Sequence, residues 1–89
     1  MKRRSKLEII ISILRAVQAR KNKPTRIMYS TNLSWKSAIF FIDKLKSEGY
    51  LKSRIVSKGK TNRKEYYLTE KSRKYLSYVD KEKWIMMMI

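Results

Sequence analysis

The side chains able to do chemistry in this sequence are nearly all of one kind. Twenty-three Lys and Arg stand against seven Asp and Glu, with no His and no Cys, for a formal charge of +16. The missing types exclude thiolate nucleophiles, imidazole general bases, disulfides and the usual zinc sets, which draw on Cys and His. Seven scattered acids offer no pair at recognisable spacing for acid–base work and no carboxylate cluster for a metal. The expected chemistry is binding, not catalysis, with no cofactor, no metal and no evident small-molecule effector. What the cations can do together is neutralise a polyanion. Solubility does not require a single sign, and self-repulsion at this charge weakens a compact fold. A partner carrying many phosphates explains the excess most simply, with nucleic acid ahead of an anionic membrane surface.

The cations are grouped. Lys2, Arg3 and Arg4 form a basic arm at the start, and Lys21, Lys23 and Arg26 a second cluster. Lys36 and Lys44 flank an apolar run, "SAIFF", Ser37 to Phe41. Arg54, Lys58, Lys60, Arg63 and Lys64 follow, the last four with no acid among them. Their meaning depends on the elements that carry them.

Those elements follow from periodicity and punctuation. Ser5-Lys6-Leu7-Glu8 has the spacing of a capping box. Leu7, Ile10, Leu14 and Val17 then repeat at steps of three and four, predicting an amphipathic helix over 5–19, with Ile9 and Ile13 widening its stripe and Ile11 outside it. Pro24 suits the first turn of a short second helix whose buried side is Ile27 and Met28, and Asn32 fits the turn after it. Ser34 starts a third helix, 34–48, with Ala38, Phe41, Ile42 and Leu45 inward and Gly49 placed to stop it in a left-handed cap. The period then changes to two. Leu51, Ser53 and Ile55 alternate with Lys52, Arg54 and Val56, "SKGKTNR" reads as a loop with Gly59 and Asn62 available for positive φ, and Tyr66 and Leu68 mark a second strand. Thr69 caps a last helix with Glu70 in its first turn and Tyr75, Leu76 and Val79 inward.

Three helices followed by a two-stranded hairpin, with a short turn between the second and third helices, spell a helix-turn-helix with a wing. The fold class is α+β, mainly α: residues 1–68 form the winged helix-turn-helix and residues 69–89 a C-terminal dimerisation helix of the same domain. In that frame the third helix lies in a major groove, its N-terminal residues at base edges, and the wing, 57–64, meets backbone or minor groove. The expected contacts with double-stranded DNA are Arg3, Arg4, Lys23, Arg26, Ser34, Trp35, Lys36, Ser37, Phe40, Lys44, Arg54, Lys58, Lys60, Arg63 and Lys64.

The stretches "KPTRIMYSTNLSW", Lys23 to Trp35, and "YYLTEKSRKYL", Tyr66 to Leu76, together with the opening "KRRSKLEII", also resemble a known family. They are similar to the small, basic archaeal winged-helix proteins of about ten kilodaltons, chromatin-type or regulatory, and the resemblance spans almost the whole chain. It implies a dimer joined through the last helix, often as an antiparallel coiled coil, and sequence-tolerant binding to duplex DNA. The sequence departs from that pattern at Thr31, where a small Ala is usual, at Ser72, where a Gly is usual, and at Ile39-Phe40, where polar residues are usual.

Two apolar stretches are in surplus. "WIMMMI", Trp84 to Ile89, has no polar face and calls for cover, which favours a homodimer seam through Leu76, Val79, Trp84, Met86 and Ile89. Ile39 and Phe40 are expected to be exposed, meeting either thymine methyls or that same tail, with the tail preferred because each patch would otherwise be wet. A protein-interaction module built on Trp35, Ile39 and Phe40 is the alternative function, and RNA binding a weaker one, since the wing lacks an aromatic platform. "MKRR" with "LEIIISIL" imitates a signal peptide, but Glu8, Arg15 and the lack of a cleavage site oppose that reading. The expectation is a cytoplasmic, nucleoid-associated protein.

Overall fold

The computed structural model describes residues 5–88, with side chains through Lys81. Helix α1, Lys6–Gln18, starts where the Ser5 hydroxyl accepts from the Glu8 amide at 3.1 Å, a cap of the kind that contributes about 1 kcal/mol. It ends with Arg20 in the left-handed region at φ 64°, and the Lys21 amide donates back to Ala16 at 2.9 Å. Its buried stripe is Ile13, Leu14, Ala16 and Val17. Leu7, expected inside, is 55% exposed. The first turn of α1 overhangs the domain, so the heptad-like spacing continues beyond the surface it was meant to cover.

Helix α2, Pro24–Thr31, carries Pro24 in its first turn and buries Ile27 and Thr31. Asn32 closes it at φ 57°, a left-handed conformation that Asn tolerates. Three residues later α3, Trp35–Ser47, begins under a Ser34 cap whose hydroxyl accepts from the Ser37 amide at 3.2 Å. Ala38, Ile42 and Leu45 are its buried stripe, and Phe41 packs on the core from the edge. Gly49 at φ 84° ends α3 in a Schellman turn: the Tyr50 amide reaches the Leu45 carbonyl at 2.9 Å and the Gly49 amide reaches Lys46 at 3.2 Å.

The hairpin is longer than its alternation suggested. Strands β1, Leu51–Lys58, and β2, Thr61–Leu68, pair antiparallel in a register running from Leu51 opposite Leu68 to Lys58 opposite Thr61. Gly59 and Lys60 form a two-residue turn, with Gly59 at φ 61° in the first central position, as a type II′ turn requires. The segment expected as a loop, 57–63, is thus mostly ladder. Asn62 takes no positive φ and instead accepts from the Ser57 hydroxyl across the strands at 2.8 Å. Leu51, Tyr66 and Leu68 share the inner face and join the core at the hairpin's base, while Ile55, of the same parity, is 64% exposed because the wing has by then left the domain.

Helix α4, Glu70–Met88, packs on α1 and β2. Leu76 is 1% exposed and lies in the same core as Leu14 and Ile42. Arg15 on α1 forms an ion pair with Asp80 on α4. Both polar departures from the expected pattern are satisfied where they are buried. Thr31 donates its hydroxyl to the Ile27 carbonyl at 2.7 Å. Ser72 accepts from the Thr69 amide at 2.9 Å and donates to the Thr69 carbonyl at 2.9 Å, while Thr69 accepts from the Ser72 amide at 3.3 Å. This is the reciprocal logic of a capping box with Ser at its fourth position.

Candidate nucleic-acid interface

The rotation of α3 is fixed by Ala38, Ile42 and Leu45 pointing inward, so residues three and four apart on the far side share an outward face. That face carries Lys36, Phe40, Asp43, Lys44 and Ser47, all exposed. Phe40 is 59% exposed and its ring meets the half-buried Phe41 edge to face, at 5.4 Å between centroids and 83° between planes. Trp35, 51% exposed, opens one flank. Ser37 is half-buried, and the Ser34 and Ser37 hydroxyls lie 3.0 Å apart, so this pair serves the helix start first. Ile39, expected to be exposed beside Phe40, is half-buried. The predicted Trp35-Ile39-Phe40 patch is therefore narrower than the sequence suggested.

Beside this face, α2, α3 and the hairpin meet. The Tyr66 amide of β2 donates to the Asn22 carbonyl at 2.9 Å, which seats the α1–α2 connection along the edge of the wing. Lys23, Pro24, Thr25, Trp35, Arg63 and Lys64 then line one concavity of about 380 Å³. Four expected contact residues from three elements come together here, with three cations around one indole. Lys58 and Lys60 flank the hairpin tip, both exposed. Arg54 stands directly across from Glu65, on the hairpin face opposite the core residues, beside Lys52 and Tyr67. Arg26 lines a separate shallow concavity with Lys21, Tyr29 and Ser30 on the outer side of α2.

Two hydroxyls near the hairpin have raised pKa values. Burial pushes Tyr66 up, with Asp43 adding to the effect. Tyr67 is raised chiefly because it donates to Glu65, at 2.8 Å. Among the described residues no group of acids, His or Cys could hold a metal, and no helix is long and apolar enough to cross a membrane.

The sequence profile of the winged helix-turn-helix family matches residues 3–87. The chain belongs to that family. An uncharacterised protein of Methanocaldococcus jannaschii is 35% identical to it over 75 residues, covering 84% of this chain and 69% of the relative. Among solved structures, a protein of Streptococcus mutans superposes with a TM-score of 0.78 at 26% identity. Sso10a-2, a DNA-binding protein from Sulfolobus solfataricus, does so at 0.69, also with 26% identity. Each comparison covers 94% of this chain and 83% of the other. The resemblance to the small archaeal winged-helix proteins and the α+β winged-helix fold class both stand.

Within this winged helix-turn-helix chain, Arg3 and Arg4 lie outside the described residues, as do Ile89 and the side chains of Trp84 and Met86. The cover expected from the tail for Phe40 rests on those same side chains. Leu76, expected at a dimer seam, is buried in the core of its own chain, and Val79, expected there too, is half-buried. Sequence reasoning passed over Asp43, which i,i+3 spacing from Phe40 could have revealed. It also passed over Pro24 and Thr25, whose place beside Trp35 depends on tertiary folding.

Proposed function

We propose that the protein binds double-stranded DNA without catalysing a reaction, as a transcriptional regulator or an architectural, chromatin-type protein. In this reading α3 enters the major groove, and the wing lies on backbone or minor groove. Lys23, Arg63 and Lys64 grip one strand's phosphates beside Trp35. The observation that carries the reading is the shared concavity: the start of α2 and strand β2 deliver three cations, Lys23, Arg63 and Lys64, to one place beside Trp35 of α3. Membership of the winged helix-turn-helix family and the likeness to a DNA-binding protein of Sulfolobus solfataricus support it. A homodimer through α4, using Val79 and the residues beyond it, would present two such faces to one duplex.

The test is fluorescence anisotropy of a random-sequence duplex titrated with the protein at several salt concentrations, alongside the solution mass. The expected result is binding whose log affinity falls steeply with log salt, and a mass twice that of the chain. Binding indifferent to salt, or no binding at all, would overturn the DNA reading. A monomeric mass would overturn the dimer and leave the DNA reading standing.

A further inference from the structure

The outward face of α3 is not built for phosphates alone. A helix that met only the duplex backbone would be served by cations and small polar residues. Here the middle of the face is an exposed aromatic ring and an exposed carboxylate, one turn apart. Neither is adventitious in its setting. The Phe40 ring is braced edge-on by Phe41, which is itself anchored on the core, so its outward position is fixed before any partner arrives. Asp43 repels phosphate and weakens non-specific binding, yet it stands in the one region where a polyanion is expected. Three other acids have side-chain partners: Asp80 pairs with Arg15, Glu70 with Lys74, and Glu65 accepts from Tyr67, whereas Glu8 and Glu48 stand away from the α3 face without one among the described residues. Among the described residues no cation or hydrogen-bond donor holds Asp43, whose charge is felt by the Tyr66 hydroxyl, and it does not line the concavity of Lys23, Arg63 and Lys64.

The major groove offers a match for each group. Thymine presents its methyl there, which an apolar side chain can cover, and cytosine presents its N4 amino group, which a carboxylate can accept. Both belong to pyrimidines. Residues three apart on a helix rise about 4.5 Å, and successive bases of one strand rise about 3.4 Å. Phe40 and Asp43 therefore reach bases one or two steps apart.

We propose that α3 selects sequence through Phe40 on a thymine methyl and Asp43 on a cytosine amino group, one or two steps apart on one strand. This rests on the reading of α3 as the groove helix, and it turns a phosphate-driven binder into a base-selective one. The carboxylate acts by exclusion as much as by contact. It weakens every site that lacks a donor opposite it, a common route to specificity.

The experiment selects binders from a randomised duplex library with the full chain, then measures defined duplexes with wild type, Phe40→Ala and Asp43→Asn. Both residues are exposed, so circular dichroism of the variants should be unchanged. Selection is expected to enrich thymine and cytosine at the stated spacing. Replacing that thymine by deoxyuridine removes one methyl and should weaken wild type about fourfold, leaving Phe40→Ala indifferent. Replacing the cytosine should weaken wild type roughly fivefold and leave Asp43→Asn indifferent, while Asp43→Asn binds random duplex more tightly than wild type. Salt-dependent duplex binding without enrichment would overturn the proposal and leave the DNA reading intact. So would deoxyuridine discrimination that survives in Phe40→Ala. A Phe40→Ala variant with altered solution mass and unaltered base preference would also overturn it, by assigning Phe40 to contact with another copy. Failure to bind any duplex at any salt would overturn the DNA reading itself.

Discussion

Removing Arg63 and Lys64 together should flatten the salt dependence of DNA binding by a calculable amount. Both line the concavity with Lys23 and Trp35. With Lys36 and Lys44 on the face of α3, the proposed reading gives each chain five cations that would meet phosphates. Each neutralised phosphate contributes about −0.9 to the slope of log affinity against log salt, so one wild-type subunit should give a slope near −4.5. Raising salt from about 50 to 200 mM should then weaken its binding roughly 500-fold. Arg63→Ala/Lys64→Ala should lower the slope magnitude by about 1.8, and the same change of salt should weaken it only about 40-fold. A dimer that engages both subunits doubles each slope. The measurement is anisotropy of a labelled duplex at five or six salt concentrations, with the melting temperature of each protein checked in parallel. A double variant with the wild-type slope would refute the placement of phosphates in this concavity, whatever its absolute affinity. A slope reduced far beyond two contacts would mean that the wing had lost its position, not only its charge.

Three further outcomes follow from the packing. Leu76→Ala empties a site in the shared core of α1, α3 and α4 and should cost about 2–5 kcal/mol, read as a lowered denaturant midpoint. Thr69→Ala removes the hydroxyl that accepts from the Ser72 amide and donates to the Gly49 carbonyl at 2.6 Å; a loss of about 1–2 kcal/mol in the same assay is expected. The raised pKa of Tyr66 means that the folded chain keeps this proton at a pH where the unfolded chain has released it. The stabilising effect is complete below the ordinary tyrosine range and is lost as pH rises from about 10 through the folded value. Tyr66→Phe should therefore show a shallower fall in stability than wild type as pH is raised above about 10, measured by urea unfolding at each pH.

The parts of the fold that could be read from residues were those in which a local rule and the tertiary structure agree. Ser5, Pro24, Ser34 and Gly49 each mark a helix boundary through their own backbone or hydroxyl chemistry, and each boundary falls within a residue or so of its mark. Periodicity failed where an element outruns the body it packs on. Leu7 and Ile55 have the right spacing for the core but sit where α1 and the wing project into water. The hairpin tip misled for another reason: Ser, Lys, Gly and Asn are loop-forming types, yet a two-residue turn at Gly59-Lys60 lets the ladder run to its end. Of the candidate site, the cations were legible by type and grouping. Their convergence beside Trp35 was not, because it depends on the Tyr66–Asn22 hydrogen bond that draws the α1–α2 connection against β2. Thr31 and Ser72 looked like departures from a pattern; each carries its own hydrogen-bond partner into the core.

The end of α3 and the start of α4 are fastened to each other at three points. Thr69 donates to the Gly49 carbonyl, the Lys71 ammonium donates to the Glu48 carbonyl at 3.0 Å, and the same ammonium sits 4.5 Å from the centre of the Tyr50 ring. Helix α4 is thus set in direction by the last turn of α3 at its start and by Leu76 and the Arg15–Asp80 pair further along. Beyond Asp80 it continues to Met88, an extension of about 12 Å, so a change of about 10° in its direction moves its end by only roughly 2 Å. That is less than the rise of one base pair, so the extension acts as a nearly fixed spacer. In the proposed dimer, contact between two such helices would set the distance between the two α3 helices, and so the separation of two half-sites along a duplex.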